Sequence, residues 1–327
     1  MGGAGEGHRC TIHPMHAISR PRVEDAEAIH ELVAAYDTAV IGVPDMTLDD
    51  IADELVEPGF DRDKDGWLAH DADGTLVAWA WACANGDSDL VEVEVITRPG
   101  VDGLADELLR TVTGRARELA AERGHSGVTM DLGIYRVDHG KQALAKAHGF
   151  EPATSFHRMR IDHEGPVGQQ VEPPAVPAGI TLHTGESEEV RREAHGVQQE
   201  AFAQHFGFVK IDYDEWYARR QAQSVTDWSQ LTLARLDGRP AAALIGSNQF
   251  LSDEDCGYVA TLAVLPEFRG RGLGRFLLRH AFAADAARGR KGTILHVDSN
   301  NITPALGLYE SAGMRPVMVI DVWRRRL

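Results

Sequence analysis

Gly257-Tyr-Val-Ala-Thr-Leu-Ala-Val264-Leu-Pro-Glu-Phe-Arg269-Gly-Arg-Gly-Leu-Gly274-Arg-Phe-Leu-Leu278 runs from an apolar strand, through a glycine-rich turn lined with arginines, into an amphipathic helix. Gly270, Gly272 and Gly274 let the backbone come close to a ligand, and the first turn of the helix offers unpaired N–H groups at the positive end of its dipole. Arg269, Arg271 and Arg275 add full charges. Together with Leu273 these residues make a site for a pyrophosphate or similar dianion. It is not a dinucleotide fingerprint, which needs a glycine where Arg275 stands. Nor is it a P-loop, because no Gly-Lys-Ser/Thr follows.

The arrangement Arg-x-x-Gly-x-Gly, carried by Arg269, Gly272 and Gly274, resembles the acetyl-CoA pyrophosphate loop of the GNAT superfamily of acyl-CoA-dependent N-acyltransferases. A second match lies downstream. Thr293–Asn301 reads as a strand leading into a helix closed by glycine, and Asn301, Ala305, Tyr309, Gly313 and Met314 resemble that superfamily's Asn…Ala-x-x-x-Tyr-x-x-x-Gly-Phe/Met signature.

The resemblance implies acetyl-CoA as cosubstrate, no metal, and direct transfer to a small-molecule primary amine in a ternary complex. It implies that the backbone of Leu262, Ala263 and Val264 pairs with the pantetheine as an added strand would. It also implies that Asn301 satisfies a backbone or pantetheine group. Tyr309 is expected to protonate the leaving thiolate: a phenol of pKa ~10 beside a thiol of ~8.5 stays protonated at neutral pH and can donate. Transfer also needs a group to take the amine proton. Residues 257–264 hold no carboxylate, so Glu254, Asp255 and Asp298 are the nearby options, and Asp298, among apolar strand residues, is the expected base. Two readings stand beside this one. The tandem layout described below resembles the mycothiol synthases, two-domain members of the superfamily, and a non-catalytic acyl-CoA-binding module is a different class.

At 327 residues and 43% hydrophobic the chain is long enough for two domains with full cores. No apolar run approaches the ~20 residues of a membrane helix, and the glycine-rich start lacks the core of a signal peptide. Three isolated cysteines argue against a disulfide framework and for a reducing, cytoplasmic setting. The net charge is −17, with 31 acidic against 15 basic residues in 1–165 but 19 against 18 in 166–327. An acidic surface repels nucleic acid and anionic lipid, and the near-neutral half is the one with the arginine turn. A monomer or weak homodimer is expected.

Residues 1–15 read as a flexible arm. Residues 162–179, with four prolines and three glycines, read as a linker between domains at 16–161 and 180–327. Each domain has the order β-α-α-β-β-β-α-β-α-β, so the expected class is α/β with a mixed sheet, as two tandem GNAT domains. In the second, the strands are 180–184, 230–236, 241–250, 257–264, 293–299 and 316–323. The copies align through Gly103-Leu-Ala105 with Gly272-Leu-Gly274, and Gly149-Phe150 with Gly313-Met314. In the first copy Arg269, Gly270, Arg271 and Tyr309 become Gly100, Val101, Asp102 and Ala145. That copy is expected to be degenerate, with the chemistry in the second.

Overall fold

The computed structural model describes residues 16–57, 59–101, 103–163, 172–299 and 305–327. The N-terminal arm, Asp102, linker residues 164–171 and Asn301 lie outside them. The first half contains β1 (Ala17–Ser19), α1 (Ala26–Ile41), α2 (Leu48–Leu55), α3 (Arg62–Asp65), β2 (Gly66–His70), β3 (Leu76–Ala84), β4 (Leu90–Thr97), α4 (Leu104–Glu122), β5 (Thr129–Tyr135), α5 (His139–Ala147) and β6 (Glu151–Asp162). The second contains β7 (Ile180–Thr184), α6 (Glu188–Ala201), α7 (Tyr213–Ala222), β8 (Leu231–Leu236), β9 (Arg239–Ser247), α8 (Leu251–Glu254), β10 (Cys256–Val264), α9 (Leu273–Ala287), β11 (Gly292–Asp298), α10 (Ala305–Ser311) and β12 (Arg315–Arg326). The expected order holds in both. The one-turn helices α3 and α8 are additions, and α8 starts where the sequence reading ends β9 at Phe250.

Local chemistry explains the elements that frame the site. Ile29, Leu32 and Val33 give α1 a buried stripe at helical spacing, and Gly42 ends it at φ 89°. Thr47 caps α2 reciprocally with Asp50, so Ile51 and Leu55 face the core while Asp50, Asp53 and Glu54 lie away from it, with Glu57 just past the helix end. β3 is buried on both faces. Trp79 packs with α1 and α2, and Ala78, Ala80 and Ala82 pack with Leu108, Leu109 and Val112 of α4.

All twelve strands form one sheet, ordered β1-β2-β3-β4-β5-β12-β6-β11-β10-β9-β8-β7. The closing strands are exchanged. β12, last in the second half, lies between β5 and β6, with Ile320 opposite Tyr135 on one side and Phe156 on the other. β6, last in the first half, lies against β11, with Met159 opposite Leu295. Met159 is therefore buried in the core of the second half and Trp323 in that of the first. Chain order does not carry this exchange, because both strands suit either position in hydrophobic pattern.

Candidate active site

β10 pairs with β9 from Tyr258 opposite Ser247 to Val264 opposite Ala242, but the register slips between Val259 and Thr261, leaving Ala260 as a bulge. Its parallel pairing with β11 runs only from Cys256 opposite Gly292 to Val259 opposite Leu295. Beyond the bulge the strands part, and the edge of β10 from Ala260 to Val264 turns toward a cleft of about 490 Å³. Leu262, Ala263, Val264, Arg269, Gly270, Gly272, Leu273, Gly274, Arg275, Asp298 and Tyr309 line it.

The turn between β10 and α9 holds Gly270 at φ 75° and Gly272 at φ 80°, where an L side chain is strained although the space is open. Gly274 has no such strain: a Cβ there would meet Leu308 and Val264 at 3.4 and 3.7 Å, ordinary contact, so what glycine adds at 274 is an open backbone facing the cleft. Arg269 donates from Nε to the Val264 carbonyl (3.1 Å) and from a terminal nitrogen to that of Ala201 (3.2 Å). Arg275 donates to the Ser311 carbonyl at 2.8 Å. These two brace the turn while still lining the cleft. Arg271 is exposed, stands over the Phe268 ring at 5.7 Å and does not line it. A free strand edge, a left-handed glycine turn and an open helix start fit an extended amide chain ending in a diphosphate.

Tyr309 is 8% exposed, and burial pushes its phenol up to about 12. Asp298 accepts a hydrogen bond from Thr154 of β6. Glu254 is taken by Arg160 and Asp255 by Lys291, which removes both from the cleft. Cys256 is buried, its thiol held near 11 by burial, so it is no nucleophile.

Ala260 and His296 line this cleft and also a second cavity of about 740 Å³ between the halves. Arg158 of β6 donates from Nε to His296 Nε2 (3.2 Å), and burial lowers His296 to about 4. The ring is neutral, with its proton on Nδ1 directed at Tyr258 Oη, 3.0 Å away. Both ring nitrogens are engaged. Asp45 is held by a two-pronged ion pair to Arg158. The first half contributes an acidic wall, Asp50, Asp53 and Glu54 of α2, Glu57 just past its end and Glu92 of β4, and α7 contributes Arg219 and Arg220. Burial and the surrounding Glu94, Asp50, Glu92 and Glu57 raise Glu54 to about 8, and its Oε2 is sealed from solvent without a hydrogen-bond partner among the described residues.

Residues 194–314 match the Acetyltransferase (GNAT) family. A protein named mycothiol acetyltransferase from Clavibacter michiganensis subsp. michiganensis is 30% identical over 259 residues, 78% of each chain. The chain belongs to the GNAT acetyltransferase family. A relative of the same name from Nocardia farcinica is 29% identical over 307 residues, covering 90% of this chain and 92% of its own. In fold, this GNAT enzyme is similar to a GCN5-related N-acetyltransferase from Sphaerobacter thermophilus (TM-score 0.78, 24% identity, 97% of each chain). It is also similar to a tandem GNAT protein from the clavulanic acid biosynthesis pathway (TM-score 0.69, 18% identity, 95% of this chain and 98% of that one). It is an acetyl-CoA-dependent N-acetyltransferase. No described helix is long and apolar enough to cross a membrane, and no described cluster of three or more His, Cys, Asp or Glu is placed to hold a metal.

The first GNAT copy differs where it counts. β4 pairs with β3 in unbroken register, without a bulge. It too leaves its parallel neighbour early, after Glu92 opposite Asp131, but Lys141 of α5, 9% exposed, reaches across to an ion pair with Glu94. The sequence reading missed the second cavity's residues. The spacing of Asp50, Asp53, Glu54 and Glu57 was the one available signal, an acidic face on an amphipathic helix. Arg158 and His296 meet only because β6 crosses into the other half.

Proposed function

We propose that the protein acetylates the primary amine of a small molecule by direct transfer, with acetyl-CoA in the cleft of the second copy and the amine in the cavity between the halves. The observation carrying this reading is the shared rim at Ala260 and His296, which joins a strand-edge cleft to an acid-walled chamber. The thioester supplies an activated acetyl group when bound. The turn at 269–275 orients the diphosphate, and the β10 edge aligns the pantetheine toward that rim. Tyr309, kept protonated by burial, gives its proton to the departing sulfur. The acidic wall draws in an ammonium. Glu54, with one unpartnered oxygen, takes the amine proton, and Asp298 on the cofactor side is the alternative base. The Lys141–Glu94 pair supports a structural role for the first copy.

A second reading follows from the relatives' name: desacetyl-mycothiol as the acceptor. A thiol-release assay with acetyl-CoA against small amines, aminoglycosides, amino acids, peptides and desacetyl-mycothiol tests both. Turnover of an amine supports transfer. Acetyl-CoA binding with no turnover on any acceptor favours the binding-module reading.

A further inference from the structure

The chamber segregates its charges: carboxylates on the α2 and β4 side, arginine on the α7 side. Arg219 has local partners, since it bonds Glu215 at 2.7 Å and its charge acts on Glu57 and Glu92. Arg158 has Asp45, and Arg290 has Asp285 at 2.9 Å. Arg220 has none. Its Nε is shut off from solvent with no hydrogen-bond partner among the described residues, and the titratable neighbour acting on it is the phenol of Tyr258, neutral at ordinary pH, rather than a carboxylate. The guanidinium lies over the Trp216 ring at 5.3 Å, and that indole is fixed by donating from Nε1 to Gln198 at 2.9 Å. A planar fork stacked on a clamped ring is preorganised for two-pronged binding of a carboxylate.

Its position is specific as well. Arg220 lines the same chamber as His296, which stands on the rim where the chamber opens to the cofactor cleft, and its charge acts on Tyr258, whose hydroxyl meets His296. An anion at Arg220 therefore shares one chamber with the rim at which the acceptor nitrogen meets the cofactor cleft. A guanidinium enclosed without a counter-charge is costly, and an anionic ligand relieves that cost.

We propose that Arg220 anchors a carboxylate of the acceptor, so that the substrate class is amines bearing a carboxylate near the reacting nitrogen, such as amino acids and peptides with a free C-terminus. This rests on the acceptor occupying the chamber between the halves.

The test uses the full chain, acetyl-CoA and matched acceptors: histidine and histamine, tyrosine and tyramine, lysine and cadaverine, dipeptides with free or amidated C-termini, with desacetyl-mycothiol among the carboxylate-free amines. The expected result is about 100-fold higher kcat/KM for the carboxylate-bearing members. Arg220→Gln should raise KM for those members by about 100-fold with kcat within a few-fold, leave carboxylate-free amines unchanged, and leave CoA affinity unchanged by titration. Arg220→Lys should recover part of the loss. Preference for carboxylate-free amines, equal loss on both classes, or no turnover of any carboxylate-bearing member by protein that still binds CoA overturns the proposal. Failure to bind CoA instead overturns the reading beneath it.

Discussion

At the scale of single residues, the turn before α9 takes its shape from the left-handed backbone of Gly270 and Gly272. Gly272 sits at φ 80° with open space beside it, so alanine there costs about 1 kcal/mol of backbone strain and little else. Gly272→Asp adds a like charge where the diphosphate is expected, and should weaken CoA binding by at least about 100-fold in a calorimetric titration while the melting temperature moves little. Tyr309→Phe keeps the ring but removes the proton; kcat should fall by about 10²-fold or more with CoA affinity within a few-fold. A fall in affinity equal to the fall in kcat would make the tyrosine a packing residue.

At the scale of elements, α2 is the part whose titration the structure makes testable. Glu54 binds its proton more tightly in the fold than in the unfolded chain, since its carboxyl moves from 4.5 to about 8. Its contribution to stability is therefore complete below pH 4.5 and is lost as pH rises toward 8. As a base it works only when ionised, so kcat/KM should climb through about pH 8. Glu54→Gln should remove that limb and lower activity at pH 9 by about 10²-fold, while melting at a higher temperature than the parent at that pH. If Asp298→Asn lowers kcat by that factor and Glu54→Gln does not, the proton leaves on the cofactor side. The motif-bearing elements were legible because Gly272, Gly274, Tyr309 and Gly313 stand at short spacing, with Gly272 and Gly313 at left-handed turns. The chamber was not, because Glu54, Arg158, Arg220 and His296 belong to four separate elements and are brought together by strand exchange. The bulge at Ala260 leaves no residue signature either, since alanine is ordinary in a strand.

At the scale of the whole molecule, residues 180–327 carry both cofactor motifs but not their own sheet. Without β6, β11 would lose the partner that runs from Gly292 opposite Asp162 to Asp298 opposite Phe156, and β12 would lose both neighbours. Expressed alone, that half should aggregate or remain unfolded, whereas co-expression with residues 1–163 should restore a CoA-binding particle. The intact chain should melt in a single transition by calorimetry. Two well-separated transitions would show that the exchanged strands do not couple the halves.

The same stitching limits how an acceptor reaches its chamber. A hinge that swung the lobes apart would have to tear a continuous ladder at β12 and β6, so the walls cannot gape like jaws. An acceptor has to enter through the opening that the folded sheet already leaves, and its size is matched against a rigid frame rather than a closing one.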